Sequence, residues 1–94
     1  MRIGDAVKAL EEGRRVQRTS WNGAGQWVAL MPGYPDGIAI NEVTAKALSA
    51  PVGSVRTFRA YLLMEHADGT LSPWSPSPSD VMGDDWVEEA QQTP

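Results

Sequence analysis

The sequence predicts an α+β domain: a small antiparallel β-sheet with an N-terminal helix and one or two short helices packed on it. Three observations predict it. Ile3, Ala6, Val7 and Leu10 recur at helical spacing near the start. Short runs of β-branched, aromatic and aliphatic residues follow, punctuated by Asn22-Gly23 and Asp68-Gly69, dipeptides that favour tight turns. Prolines 73, 76 and 78 then close off any further ladder. With 94 residues and 10.2 kDa there is room for one modest core and too little chain for a large two-domain enzyme. The expected organisation is a single domain over residues 1–88 and a frayed tail over 89–94, where apolar atoms are few.

Taken in order, the first element is a short amphipathic helix, with Lys8, Glu11 and Glu12 opposite its apolar stripe and Gly13 where a left-handed cap belongs. So short a helix cannot hold itself in water and must pack on something, a sheet being the obvious candidate. Residues 14–19 alternate around Val16, and residues 26–31 form a compact apolar run; each reads as a strand. The segment 20–25 between them displays Trp21 on a tight loop. Residues 32–37 read as a turn, Ile38 and Ile40 as a short strand, and 42–48 as a brief helix ended by Ala50-Pro51 and Gly53. Residues 55–66 are the longest strand candidate, and Asp68-Gly69 turns it into an antiparallel return over 70–74. Ser77, Pro78 and Asp80 have the order of an N-cap, a first-turn proline and a capping-box acid, with Gly83 as the stop. Asp85-Trp86-Val87 reads as a last strand anchored by its indole.

The net charge of −4 and pI near 4.7 argue against the broad basic surface that duplex nucleic acid or an anionic membrane selects. Residues 1–18 are net +2 and residues 80–94 net −5, so the charge is polarised along the chain. In the middle, Arg56 and Arg59 stand out locally, enough to grip one phosphate group. With no cysteine, disulfides, thiolate ligands and a cysteine nucleophile are excluded. One histidine and scattered carboxylates give none of the spacings of zinc or calcium sites, and there is no phosphate-cradling glycine motif, so neither a metal nor a resident cofactor is expected. No apolar stretch has the length of a membrane span or the look of a leader, and the expectation is a soluble, intracellular protein.

His66 shares a strand face with Met64 and Asp68, so a His–carboxylate pair is conceivable, although a solvated hairpin histidine is the better explanation, since general-base work also needs a nucleophile and an oxyanion site. Asp80, Asp84 and Asp85 form a carboxylate cluster suited to ribose hydroxyls or an adenine amino group, or else to capping and solvation. Four tryptophans are a heavy load for so small a core. Trp27 and Trp86, in strand-like settings, are expected inside. Trp21 and Trp74 stand at strand ends beside glycine or proline, either as lids over the edge of the core or as flat faces for a purine.

The ordered set of a helix closed by Glu12-Gly13, basic residues, Trp21-Asn22-Gly23, Phe58-x-x-Tyr61, Ala67-Asp68-Gly69, Pro73-Trp74, Ser77, Asp80 and Asp85-Trp86 resembles the second Thoeris anti-defence group of phage sponge proteins, from about Gly4 to Val87. The resemblance implies a non-enzymatic protein in the cytoplasm of the infected bacterial host. It would sequester glycocyclic ADP-ribose, a cyclic ADP-ribose isomer, without cleaving it, and so starve a Thoeris effector. It further implies a homo-oligomer, a tetramer, with ligand held between subunits, and relatives that also take cyclic oligonucleotides of the CBASS type. Set on this chain, the site residues are Trp21, Asn22, Gly23, Arg56, Arg59, Trp74 and Asp80, with no catalytic residue and no metal: an indole to stack, polar loop groups, and an arginine for the pyrophosphate. The chain departs from the family in having Ala60 where Pro is common and Pro78 where Gln is common, and nothing is carried over onto residues 33–51. Two other readings stand beside it: an interaction module that blocks a host protein through its acidic C-terminal face, and a hydrolase of the signal.

Overall fold

The computed structural model describes residues 1–21 and 25–89. Its elements are α1 (Ile3–Glu11), β1 (Val16–Arg18), β2 (Trp27–Met31), β3 (Tyr34–Ala39), α2 (Glu42–Leu48), β4 (Val55–Phe58), β5 (Tyr61–Glu65), β6 (Leu71–Trp74), α3 (Pro78–Met82) and β7 (Trp86–Glu88). The fold is α+β, with a five-stranded antiparallel sheet in the order β6-β5-β2-β1-β7 and a separate two-stranded sheet of β3 and β4.

Helix α1 ends as its sequence requires. Gly13 adopts φ +88°, and the Gly13 and Arg14 amides return to the carbonyls of Leu10 and Ala9, turning the chain directly into β1. The stripe of Ala6, Ala9 and Leu10 lies on Val16, Val28, Met64 and Trp86, the inner face of the sheet, and these residues are the main core. Trp86, 2% exposed, is its largest member. The charged outer face differs: Trp27, expected inside, is only half-buried, because it lies on the opposite face of β2 from Val28 and is covered by the Arg15 guanidinium 5.2 Å from its ring centre. Glu89, placed by sequence in the tail, is tied down by its amide bond to the Arg15 carbonyl and by ion pairing with the Arg15 side chain. Residues 90–94 lie outside the described residues.

The long strand expected over 55–66 is two strands in two sheets, and the turn expected over 32–37 is mostly the strand β3. The reason is a bend in a continuous ribbon. Met31 pairs with Tyr61 and Tyr34 with Phe58, the same register on both sides, while Pro32-Gly33 and Arg59-Ala60 form the corner between them. A Cβ on Gly33 would lie 2.2 Å from the Phe58 carbonyl oxygen, so the two backbones cross there in contact that only glycine permits. Beyond the corner β3 and β4 form an arm tipped by α2, whose Asn41 side chain accepts the Thr44 amide at 2.9 Å. The arm lengthens the molecule. The Cα radius of gyration is 15.8 Å, against about 12 Å for a compact chain of this length.

Two substitutions test this arrangement. Trp86→Ala should cost about 3–5 kcal/mol in denaturant unfolding, the range for emptying a large aromatic site. Gly33→Ala should break the ribbon corner, seen as loss of stability and of the arm's amide protection in hydrogen exchange, whereas Gly53→Ala, at a positive-φ glycine with open space around it, should be the milder change.

Candidate functional site

Three of the seven site residues read from the sequence meet at one corner of the five-stranded sheet. Trp21 follows β1, Trp74 ends β6, and Asp80 lies in α3; the core residue Trp86, opposite Arg18 in the β1–β7 ladder, is the fourth member. The indoles of Trp21, Trp74 and Trp86 pack edge to face in a triangle, with ring centres 5.9, 5.4 and 6.2 Å apart. Such pairs stabilise by about 0.5–1.5 kcal/mol beyond the area they bury.

Asp80 holds two of the three indoles. Its carbonyl accepts from Trp86 Nε1 at 2.9 Å, and its Oδ1 accepts from Trp21 Nε1 at 3.3 Å and from Arg18 Nη1 at 3.0 Å. Its Oδ2 takes the Ser77 amide at 2.9 Å while the Ser77 hydroxyl receives the Asp80 amide, which is the reciprocal capping box expected from the sequence. Three of the roughly four acceptor positions of this carboxylate are thereby filled within the protein. Asp80 is 8% exposed, and a buried carboxylate with this set of donors orders the corner first. Trp74 differs from its two neighbours in that its N–H has no acceptor among the described residues.

Arg18 is the residue that the sequence reading passed over. Its Nη1 meets Asp80 and its Nε meets Asp85 Oδ1 at 2.7 Å. Asp85 in turn accepts the Ser20 amide at 2.9 Å through Oδ2, so one guanidinium ties α3 and the start of β7 to the loop that carries Trp21. The available signal was a lone base two residues before Ser20-Trp21 and a pair of acids far downstream, and only the β1–β7 pairing makes them neighbours.

The other predicted residues lie elsewhere. Asn22 and Gly23 lie outside the described residues. Arg56 sits on β4 opposite Ile38, and Arg59 sits at the ribbon corner. Arg59 lines a pocket of about 240 Å³ together with Met31, Tyr34, Ile38, Phe58 and Tyr61. Neither arginine makes an ion pair among the described residues.

The remaining polar clusters are occupied. His66 Nε2 contacts Ser72 Oγ at 2.8 Å, and the Asp68 carboxylate accepts the Thr70 amide and hydroxyl, so the conceivable His66–Asp68 pair is not a direct hydrogen bond. The acidic C-terminal segment is not an open face either. Asp80 and Asp85 pair with Arg18, Glu88 with Arg14, and Glu89 with Arg15. Among the described residues no group of three His, Asp or Glu side chains converges to hold a metal ion, and no helix is long and apolar enough to cross a membrane.

The ion pairs set the proton chemistry. Burial pushes the Asp80 carboxyl up, but the Ser77 amide, Arg18, the Ser77 side chain and Trp21 together hold it below the ordinary carboxylate value. Asp85 is held far below by Ser20 and Arg18, and Glu89 below by Arg15. Folded values below unfolded ones mean stability that is present above about pH 4–5 and lost as pH falls through the folded values. Urea midpoints should therefore be level between pH 7 and 6 and decline from about pH 4 downward. In Arg18→Gln, where Asp80 and Asp85 lose their cation and their folded values rise toward the unfolded ones, the midpoint at pH 7 should be lower and the decline below pH 4 shallower.

Comparison with known proteins adds two findings. The family model described as the Thoeris anti-defense 2-like domain matches residues 1–88. The chain is also 30% identical over 94 residues to the protein named Thoeris anti-defense 2 of Bacillus phage SP01, a similarity that covers 92% of this chain and 91% of that relative.

Proposed function

From its membership of the Thoeris anti-defense 2-like family, to which the chain belongs, we propose that this protein is a sponge: it binds glycocyclic ADP-ribose in the cytoplasm of an infected bacterial host and withholds it, intact, from a Thoeris effector. The observation that carries the reading is the indole corner. Trp21 and Trp74 are only partly buried on the core, the Trp74 N–H has no acceptor among the described residues, and the clamp at Ser20 lies one residue before Trp21. A purine needs such a platform and a few polar groups beside it.

The electrostatics favour phosphates away from the indole corner. Arg18 with Asp80 and Asp85 sums to a net −1, and the guanidinium is committed to its two carboxylates, so the corner by itself repels a pyrophosphate. Arg56 and Arg59, which like Arg2, Lys8 and Lys46 make no ion pair among the described residues, stand on the arm rather than at the corner. The arm exposes Tyr34, Val43, Leu48, Val52 and Val55, and a two-stranded ribbon with a helix of seven residues is marginal alone. A homo-oligomer, a tetramer on the family pattern, covers that surface and brings one subunit's arginines to another subunit's indoles. Asp80 in this reading supports Trp21 from behind.

Sequestration rather than turnover fits the occupied polar groups: His66 and Asp68 are each engaged with a hydroxyl, and among the described residues no nucleophile and base pair up at the corner. Inhibition of a host protein through an acidic face is the weaker reading, because most of those acids are ion-paired within the chain.

A sponge must capture its signal below the working concentration of the effector, so calorimetry should give a nanomolar constant, about −12 kcal/mol. Trp21→Ala should weaken capture by about 1–3 kcal/mol, and Arg59→Ala should also weaken it. After incubation and heat denaturation, chromatography should return the ligand unchanged. Absence of binding heat with glycocyclic ADP-ribose, or recovery of a cleaved product, would overturn the proposal, and tighter binding of a cyclic oligonucleotide would reassign the ligand.

A further inference from the structure

The geometry points to Arg18 as a positioning residue for ligand capture: it holds the Trp21 indole and the root of its loop in the binding orientation without itself meeting the ligand, and Gly83 is the residue that admits it. This inference rests on the sponge reading and adds a part of the site that lies behind the indoles.

Two hydrogen bonds converge on one atom. Asp80 Oδ1 receives both Arg18 Nη1 at 3.0 Å and Trp21 Nε1 at 3.3 Å, so the oxygen that orients the indole is itself placed by the guanidinium. The other arm of the same guanidinium sets Asp85, which holds the Ser20 amide at 2.9 Å, one residue before Trp21. A turn bond from the Trp21 amide to the Arg18 carbonyl at 3.2 Å closes the loop on itself. Trp21 is thus fixed through its ring and through its backbone by one side chain three residues earlier.

The fit of that side chain is tight. A Cβ built on Gly83 would stand 2.7 Å from Arg18 Nη2, 2.8 Å from Cζ and 2.9 Å from Nε, so the guanidinium lies flat against the Gly83 backbone. Gly83 has φ −67° and ψ 153°, a conformation open to any residue, so backbone strain gives no reason for glycine here. The space taken by Arg18 does. A lysine cannot reproduce the planar fork, because all its donors leave one nitrogen, whereas Asp80 and Asp85 are met by two separate nitrogens, Nη1 and Nε, of one rigid plane.

The test combines affinity with an orientation signal that needs no ligand. Glycocyclic ADP-ribose is titrated into the wild type, Arg18→Gln, Arg18→Lys, Gly83→Ala, Trp21→Phe and the double variant Arg18→Gln/Trp21→Phe, with the near-ultraviolet circular dichroism of the indoles and the thermal midpoint recorded for each. Gly83→Ala and Arg18→Gln should each weaken capture about tenfold and change the indole band, with Arg18→Lys failing to rescue. In the Trp21→Phe background, which lacks the indole N–H, the Arg18→Gln effect should shrink to about threefold or less. An equal loss in both backgrounds, or a lowered midpoint with affinity and indole band unchanged, would overturn the positioning role. If Arg18→Gln does not fold, Gly83→Ala decides the matter by the same two readouts. A wild type that takes up no ligand would overturn the sponge reading instead, and the orientation claim would then stand or fall on the indole band of Gly83→Ala.

Discussion

The antiparallel pairing of β1 with β7 is the constraint on which the rest of the structure depends. It joins residues near the two ends of the chain, with Val16 against Glu88 and Arg18 against Trp86. The net charges of opposite sign at the two ends of the sequence become a ladder of ion pairs along one edge of the sheet, from Arg14–Glu88 and Arg15–Glu89 to Arg18–Asp85. Exposed pairs of this kind stabilise little one at a time. Their larger effect is on register, since slipping β7 by one residue would turn Trp86 out of the core and set the wrong charges side by side.

At the inner end of that ladder the pairs are shielded and their consequences grow. Arg18 and Asp80 are mostly covered, and removing the arginine leaves a shielded carboxylate with only the Ser77 amide and the Trp21 indole to hold it, a greater loss than at an exposed pair. The chain keeps this charge where an apolar side chain would also pack, and the geometry explains the use: one carboxylate carries a helix cap, one arginine and two of the three clustered indoles at once. A rigid aromatic platform follows from a polar group placed at its back.

The arm obeys different physics. It continues the β2–β5 ribbon past a corner that only Gly33 allows, and its apolar side chains have little of this chain to cover them. On the proposed reading, body and arm divide the demands of an anionic, purine-bearing ligand between them, with stacking surfaces on one and, on the other, arginines that make no ion pair among the described residues. On that same reading a neighbouring subunit brings the two together and covers the exposed apolar surface of the arm.

Much of this was legible in the amino-acid order. Local chemistry alone specified α1 with its Gly13 cap, the Asp68-Gly69 hairpin, the Ser77–Asp80 capping box and the strand ends at which Trp21 and Trp74 stand, because each depends on residues within a few positions of one another. The order of residues also carried the family likeness. Tertiary structure decided the remainder: that residues 55–66 divide between two sheets, that Trp27 faces outward under Arg15, that most of the C-terminal acids are ion-paired, and that Arg18 stands behind Trp21. Each of these depends on contacts between residues tens of positions apart. Periodicity and turn signals describe which conformation a segment prefers, but they carry no distance between Arg18 and Asp80; strand pairing sets that distance, and with it the charge, burial and orientation of the site.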